Sequence, residues 1–215
     1  MDKKLPIEIN HLYVILVRKG NSKNISSILN LKDSVYCNWE LAKEKVRNSK
    51  KSDEIGYYAM NIVTNEISGW NYIICKKNGD LKYTMNCCNE LSKEYNHLFS
   101  FQIDVHSGRY RFLKIENKKI SRFFERDSNE VTGEFGQLLR EELEIVKEKN
   151  EYDYFYAIEV AKKVLRFNEL SIKDFTDEVL VGKRYYQDME NHPELYDKSI
   201  ESNKSSGIEN EELPF

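Results

Sequence analysis

The residues best suited to chemistry lie close together near the middle of the chain, where Asp104, His106 and Arg109 bring a carboxylate, an imidazole and a guanidinium into one short stretch. An imidazole titrates near neutrality, and a carboxylate beside it can fix its tautomer. The set could therefore act as general base, orienting acid and anion-holding cation in a small hydrolase or nucleic-acid-processing enzyme. On a strand Asp104 and His106, two positions apart, would share a face. The same residues also suit a polar cluster that merely closes a hairpin, and that simpler use needs no further partner.

Two other groups could bind. Arg109, Arg111, Arg122 and Arg126 interleave with Tyr110, Phe112, Phe123 and Phe124. This pattern can build a stacking face for single-stranded nucleic acid, with Arg111 and Arg122 on the backbone and Tyr110 and Phe124 under the bases. An ordinary half-buried sheet, aromatics inward and arginines outward, explains it as well. Glu141, Glu142, Glu144, Glu148, Glu151, Asp153 and Glu159 could offer a negative helix face to a basic partner, although such runs are commonly solvated surface.

Much chemistry is disfavoured by what the chain lacks. His11, His97, His106 and His192 show no metal-ligand spacing, and Cys37, Cys75, Cys87 and Cys88 show no CxxC pair, so we expect no metal and read the cysteines as reduced thiols packed as small apolar groups. No nucleophile elbow occurs. Gly133 and Gly136 fit neither dinucleotide nor phosphate-loop patterns, and we expect no cofactor. Lysine, arginine and acidic residues are interspersed at a net charge of −3, which disfavours nucleic acid as the main partner. The longest apolar run, Leu12 to Val17, is far below the ~20 residues of a membrane span, and no signal-peptide pattern precedes it, so the expected location is cytoplasmic.

The elements that would position these residues follow from periodicity. Leu12–Val17 reads as a strand buried on both faces, ended by Gly20-Asn21-Ser22. Val35, Trp39, Ala42 and Val46 fall at helical spacing, predicting a helix from Asp33 to Arg47 with Asp33 or Ser34 as cap. Strands are expected over 56–63 and 70–75, the latter closed by an Asn78-Gly79 turn, and a helix over 83–96. Strands over 98–105, 109–115 and 119–125 follow, then a glycine-punctuated loop at 132–136 and two helices carrying Leu138, Leu139, Leu143 and Val146, then Tyr154, Ala157, Ile158, Ala161 and Leu165. That order predicts an α+β protein with a ferredoxin-like β-α-β-β-α-β core, an added antiparallel hairpin and C-terminal helices. Residues 1–183 would form one domain, and 184–215 a polar, disordered tail.

Asn38-Trp39-Glu40, Gly69-Trp70, Leu98 to Asp104, Gly108 to Phe112, Arg122-Phe123-Phe124 and Asp153 to Lys162 resemble the motifs of a widespread group of bacterial proteins of unsettled function. Those relatives share an NW helix start, a GW strand, an F-x-x-D strand, an R-x-F strand and a late helix. This chain departs from them before Gly69, where they usually carry prolines. The resemblance implies a shared fold, and some relatives occur in contexts like toxin and immunity pairs. It favours a non-enzymatic protein-binding module of immunity or antitoxin type, whose partner is a toxin or effector protein.

Overall fold

The computed structural model describes residues 11–50, 52–75, 81–104, 106–128, 130–149, 156–164 and 178–186. The Asn78-Gly79 turn, Glu151, Asp153, His192 and the segment from 187 to 215 lie outside them.

Among the described residues nine strands form one sheet: β1 His11–Arg18, β2 Lys32–Cys37, β3 Tyr58–Val63, β4 Trp70–Cys75, β5 His97–Asp104, β6 Arg109–Glu116, β7 Lys119–Asp127, β8 Glu130–Gly136 and β9 Val179–Tyr185. Their spatial order is β2-β9-β3-β4-β1-β5-β6-β7-β8. All eight pairings are antiparallel. This overturns the ferredoxin-like expectation, because a split βαβ unit joins parallel strands through a helical crossover and here β1 runs antiparallel to both its neighbours, β4 and β5.

Helices cover both faces. One face packs α2 (Trp39–Asn48), α4 (Arg140–Lys149) and α5 (Tyr156–Val164) on Val14, Leu16, Tyr72, Phe101, Phe112 and Phe124; the other packs α1 (Ser22–Ile28) and α3 (Leu81–Glu94) on Ile15, Val17, Ile73, Leu98 and Leu113. The alternation of side chains along β1 explains why its apolar run is unbroken: Val14 and Leu16 serve one core, Ile15 and Val17 the other. A row of facing residues crosses the sheet through Val14, Phe101, Phe112, Phe124 and Glu134. Its rings touch in sequence, with centroids 5.9 Å apart for Phe101–Phe112 and 5.4 Å for Phe112–Phe124, and Tyr156 of α5 closes on Phe124 at 5.0 Å.

Three local expectations change. Residues 32–37 form β2, paired to β9, and α2 starts only at Trp39, where Asn38 accepts a hydrogen bond from Leu41 N at 2.9 Å. Residues 132–136 belong to β8. The composition boundary at 183 falls inside β9, whose Arg184 and Tyr185 are buried.

Gly136 ends β8 with φ of +87°, and a Cβ there would collide with the Ser121 carbonyl oxygen of β7. Gly136→Ala should therefore lower unfolding free energy by about 1–3 kcal/mol, the range for such backbone strain, in a urea titration followed by far-UV circular dichroism.

Candidate functional site

Asp104, His106, Ser107 and Arg109 lie at the end of the β5–β6 hairpin, where His106, Ser107 and Arg109 are exposed. The Asp104 carboxylate accepts a hydrogen bond from the His106 backbone N–H at 3.2 Å, and Ser107 Oγ donates to the Asp104 carbonyl at 3.3 Å. Both bonds close the turn. Arg109 pairs instead across to β7, its Nε 2.9 Å from Asp127 Oδ2. Asp104, His106 and Arg109 are thus neighbours on one hairpin, but they do not line the cleft described below.

The arginine and aromatic residues divide between the two sheet faces. Tyr110, Phe112 and Phe124 are buried in the core beneath α4 and α5, so they offer no surface on which a base could stack. Arg111 points to the other face, where Nη1 donates to Gln102 at 2.9 Å and Nη2 pairs with Glu125.

Arg122 is the least expected. Its side chain is 1% exposed and every nitrogen is engaged. Nε and Nη2 donate to Glu142, at 2.9 Å and 2.6 Å in the shortest contacts; Nη2 also reaches Glu134 at 2.7 Å, and Nη1 meets the carbonyls of Phe123 and Phe135 at 3.3 Å and 3.1 Å. Glu142, fully buried, further accepts from Tyr156 Oη at 2.5 Å and from Leu139 N at 2.7 Å, the latter being the back-bond of a glutamate at the third position of a helix. Burial alone would lower the pKa of the Arg122 guanidinium, but the bonds it donates to Glu142 and Glu134 outweigh it and hold the group above its ordinary value. The acidic run of α4 is correspondingly not one open face. Glu142 is internal, Glu144 is tied to Lys163 at 3.0 Å, Glu141 lines a cleft, and the side chain of Glu148 lies outside the described residues. Leu143, placed in the apolar stripe by sequence, is 44% exposed, whereas Glu142 stands three residues from both Leu139 and Ile145 and shares their buried side. That spacing is the signal that marks it in the sequence.

A second buried cation sits on the opposite face. Arg184 of β9 donates to Cys87 Sγ at 3.3 Å and to Glu90 at 2.8 Å, over the ring of Tyr83, whose hydroxyl bonds Asn61. All four cysteines are buried thiols without disulfides, and burial pushes Cys87 up to about 11, which leaves it protonated and unreactive at neutral pH.

No family model matches the chain, and neither does any curated protein or solved structure. Among the described residues no helix is long and apolar enough to cross a membrane, and no cluster of three or more His, Cys, Asp or Glu side chains could hold a metal ion.

Two surface features remain. One is a cleft of about 620 Å³ where the ends of β1, β5, β6 and β7 meet the loop before α4, lined among others by Arg18, Trp70, Phe99, Lys114, Arg140 and Glu141. The other is the margin at β2. Of the seven large apolar or aromatic side chains that the described residues leave exposed, five, Val35, Tyr36, Leu41, Ile55 and Tyr57, belong to β2, the start of α2 or the turn before β3. Lys183 of β9 ties this margin together, 2.9 Å from Asp33 and 2.8 Å from Asp53, and Tyr185 Oη donates to Asp53 at 2.7 Å. The hydrogen bonds from Lys183 and Tyr185 draw the Asp53 carboxyl down to about 2.

Two outcomes follow from these networks. Glu142→Gln, which leaves Arg122 buried with its main counter-charge gone, should cost about 3–5 kcal/mol in chemical denaturation. Asp53 has a folded-state pKa below its unfolded value of ~4, so it stabilises the fold above that value and the contribution fades as pH falls toward 2. Urea titrations between pH 5 and 2 should accordingly show a shallower acid-side loss of stability for Asp53→Asn than for the parent protein.

Proposed function

We propose that this chain is a protein-binding module, of the immunity type, that holds an extended segment of a toxin or effector protein against the outer edge of β2. The observation that carries the reading is the β2 margin: among the described residues β2 ends the sheet, with no further strand on its outer side, and it carries or adjoins five of the seven large apolar side chains that those residues leave exposed. Strand addition uses such an edge, with main-chain bonds giving affinity and alternate side chains giving specificity. Val35 and Tyr36 point to opposite faces of β2, so an added strand would meet an apolar group on each side. The opposite edge, β8, is less suited, since Glu130 is exposed there and Glu134 is engaged by Arg122. The resemblance to proteins found in toxin and immunity contexts supports the same reading. Four buried thiols suit a reducing compartment, which favours the cytoplasm.

A hydrolytic reading has less support, because its three residues stay on an exposed hairpin with Asp104 closing the turn and Arg109 paired to Asp127. A stacking surface for single strands has less still, its aromatics being in the core.

The test combines capture with disruption of the edge. A partner retained from native lysate, once purified, should bind the parent protein with protection of the β2 backbone amides in hydrogen exchange. It should bind Val35→Lys and Tyr57→Glu at least about tenfold more weakly, a loss of ~1.4 kcal/mol, while both variants keep the parent's thermal unfolding. Undiminished binding with unprotected β2 amides, or no partner at all, contradicts the proposal.

A further inference from the structure

The cleft beside α4 has a construction of its own and does not depend on the β2 reading. Its floor comes from two cross-strand rows on the α4 face of the sheet. Arg18 of β1 stands opposite Trp70 of β4; in the adjoining row Leu16, Phe99, Lys114 and Arg122 face one another through β1, β5, β6 and β7. Most aromatic rings on this face are fully buried, but Trp70 and Phe99 are only partly so and both line the cleft. Their centroids are 5.7 Å apart at 61°, an edge-to-face pair that leaves an L-shaped apolar corner. Lys114 Nζ lies 5.8 Å from the Phe99 centroid.

The charges of this corner are unequal in availability. Arg122, at the back, has every nitrogen bonded to protein acceptors. Lys114 is held 2.8 Å from Glu116, and His97 faces the same carboxylate at 3.7 Å. Arg18 is exposed and makes no hydrogen bond or ion pair with any described residue, while Arg140 is 88% exposed with only a long contact of 3.6 Å to Glu144. Against these two guanidinium groups the lining sets two carboxylates, the half-buried Glu141 and Glu116, the latter already paired with Lys114. The unsatisfied charge in the cleft is therefore positive and planar, next to two ring faces.

We propose that this cleft binds a small planar aromatic anion, its ring seated on Trp70 and Phe99 and its anionic group held by the guanidinium groups of Arg18 and Arg140. The volume falls in the range of small-molecule sites, roughly 300–1,000 Å³. Guanidinium groups match carboxylate or phosphate oxygens in two-point contacts, and indole is the best aromatic partner for both a stacked ring and a neighbouring cation. The anion can be an aromatic carboxylate or the phosphate of a nucleotide, and the two are separable by experiment.

The protein has two tryptophans, of which Trp39 is buried at 4% exposure, so Trp39→Phe leaves Trp70 as a local reporter. Naphthalene-2-carboxylate and adenosine monophosphate are titrated against it, each beside its neutral counterpart, 2-naphthalenemethanol or adenosine. The expected result is saturable change in Trp70 emission with at least one anion, at least tenfold weaker for its neutral counterpart. Arg18→Ala, at an exposed position that should not affect folding, should weaken the anion at least tenfold and leave the neutral compound unchanged. Binding of the carboxylate alone or the nucleotide alone identifies the source of the anion. Failure of both anions to saturate below millimolar concentration, equal binding of neutral and anionic compounds, or indifference to Arg18→Ala overturns the proposal.

Discussion

The buried ion pair between Arg122 and Glu142 is the constraint on which one half of the molecule is organised. It joins β7 to the first turn of α4, recruits Glu134 from β8 and Tyr156 from α5, and lies against the Phe112 ring, with the guanidinium carbon 5.8 Å from its centroid. Two charges taken out of water are costly unless every donor and lone pair finds a partner. Here the surrounding elements supply those partners, so each must hold its place for the others to be satisfied. The loop before α4 is fixed in the same way, because Glu142 also binds Leu139 N, and that loop forms one wall of the aromatic cleft.

The other half has a smaller counterpart. Arg184 on β9 is enclosed by Cys87, Glu90 and Tyr83 of α3, and the neighbouring Lys183 points the opposite way to tie Asp33 and Asp53. Adjacent residues of one strand thus anchor a helix on one face and the β2 margin on the other, as alternation along a strand requires. Gly182 completes the junction, since a Cβ at that position would press on Leu31 and Ser34 where the chain enters β2. The edge proposed to receive a partner is therefore held from β9, by the Lys183 side chain as well as by the β2–β9 ladder.

Sequence reading recovers elements whose signals are local and strong. The β4 boundaries at Trp70 and Cys75 coincide with the expectation, and β1, β3, β5, β6, β7 and α3 lie within a few residues of it. Its failures occur where distant partners decide. Val35, Trp39, Ala42 and Val46 keep helical spacing across the β2–α2 junction, but pairing of Val35 with Val181 makes the first of them a strand residue. Gly133 and Gly136 read as loop until the Phe123–Phe135 stack, with centroids 5.3 Å apart, and the β7–β8 ladder are in view. The fold class failed for the same reason: the order of strands and helices along the chain does not reveal that β2 and β9 extend the sheet beyond β3, or that β1 is antiparallel to both neighbours. Of the residues expected to bind, Arg122, Tyr110 and Phe124 are buried, and an arginine followed by two phenylalanines gives no local sign of whether its charge is solvated or enclosed. Arg18, Trp70 and Arg140, which help line the cleft, are far apart in sequence, and although Trp70 belongs to the GW pair no pattern in the sequence joins the three.

The most direct measurement of this account is a double-mutant cycle between Arg122 and Glu142, comparing Arg122→Met, Glu142→Gln and the double variant by equilibrium denaturation. If the pair is the internal tie described here, each single change strands a buried charge, and the double variant should be more stable than the sum of the two losses implies by about 2 kcal/mol or more. Losses that add to within ~0.5 kcal/mol would mean that the two groups do not depend on each other, and would contradict the central claim.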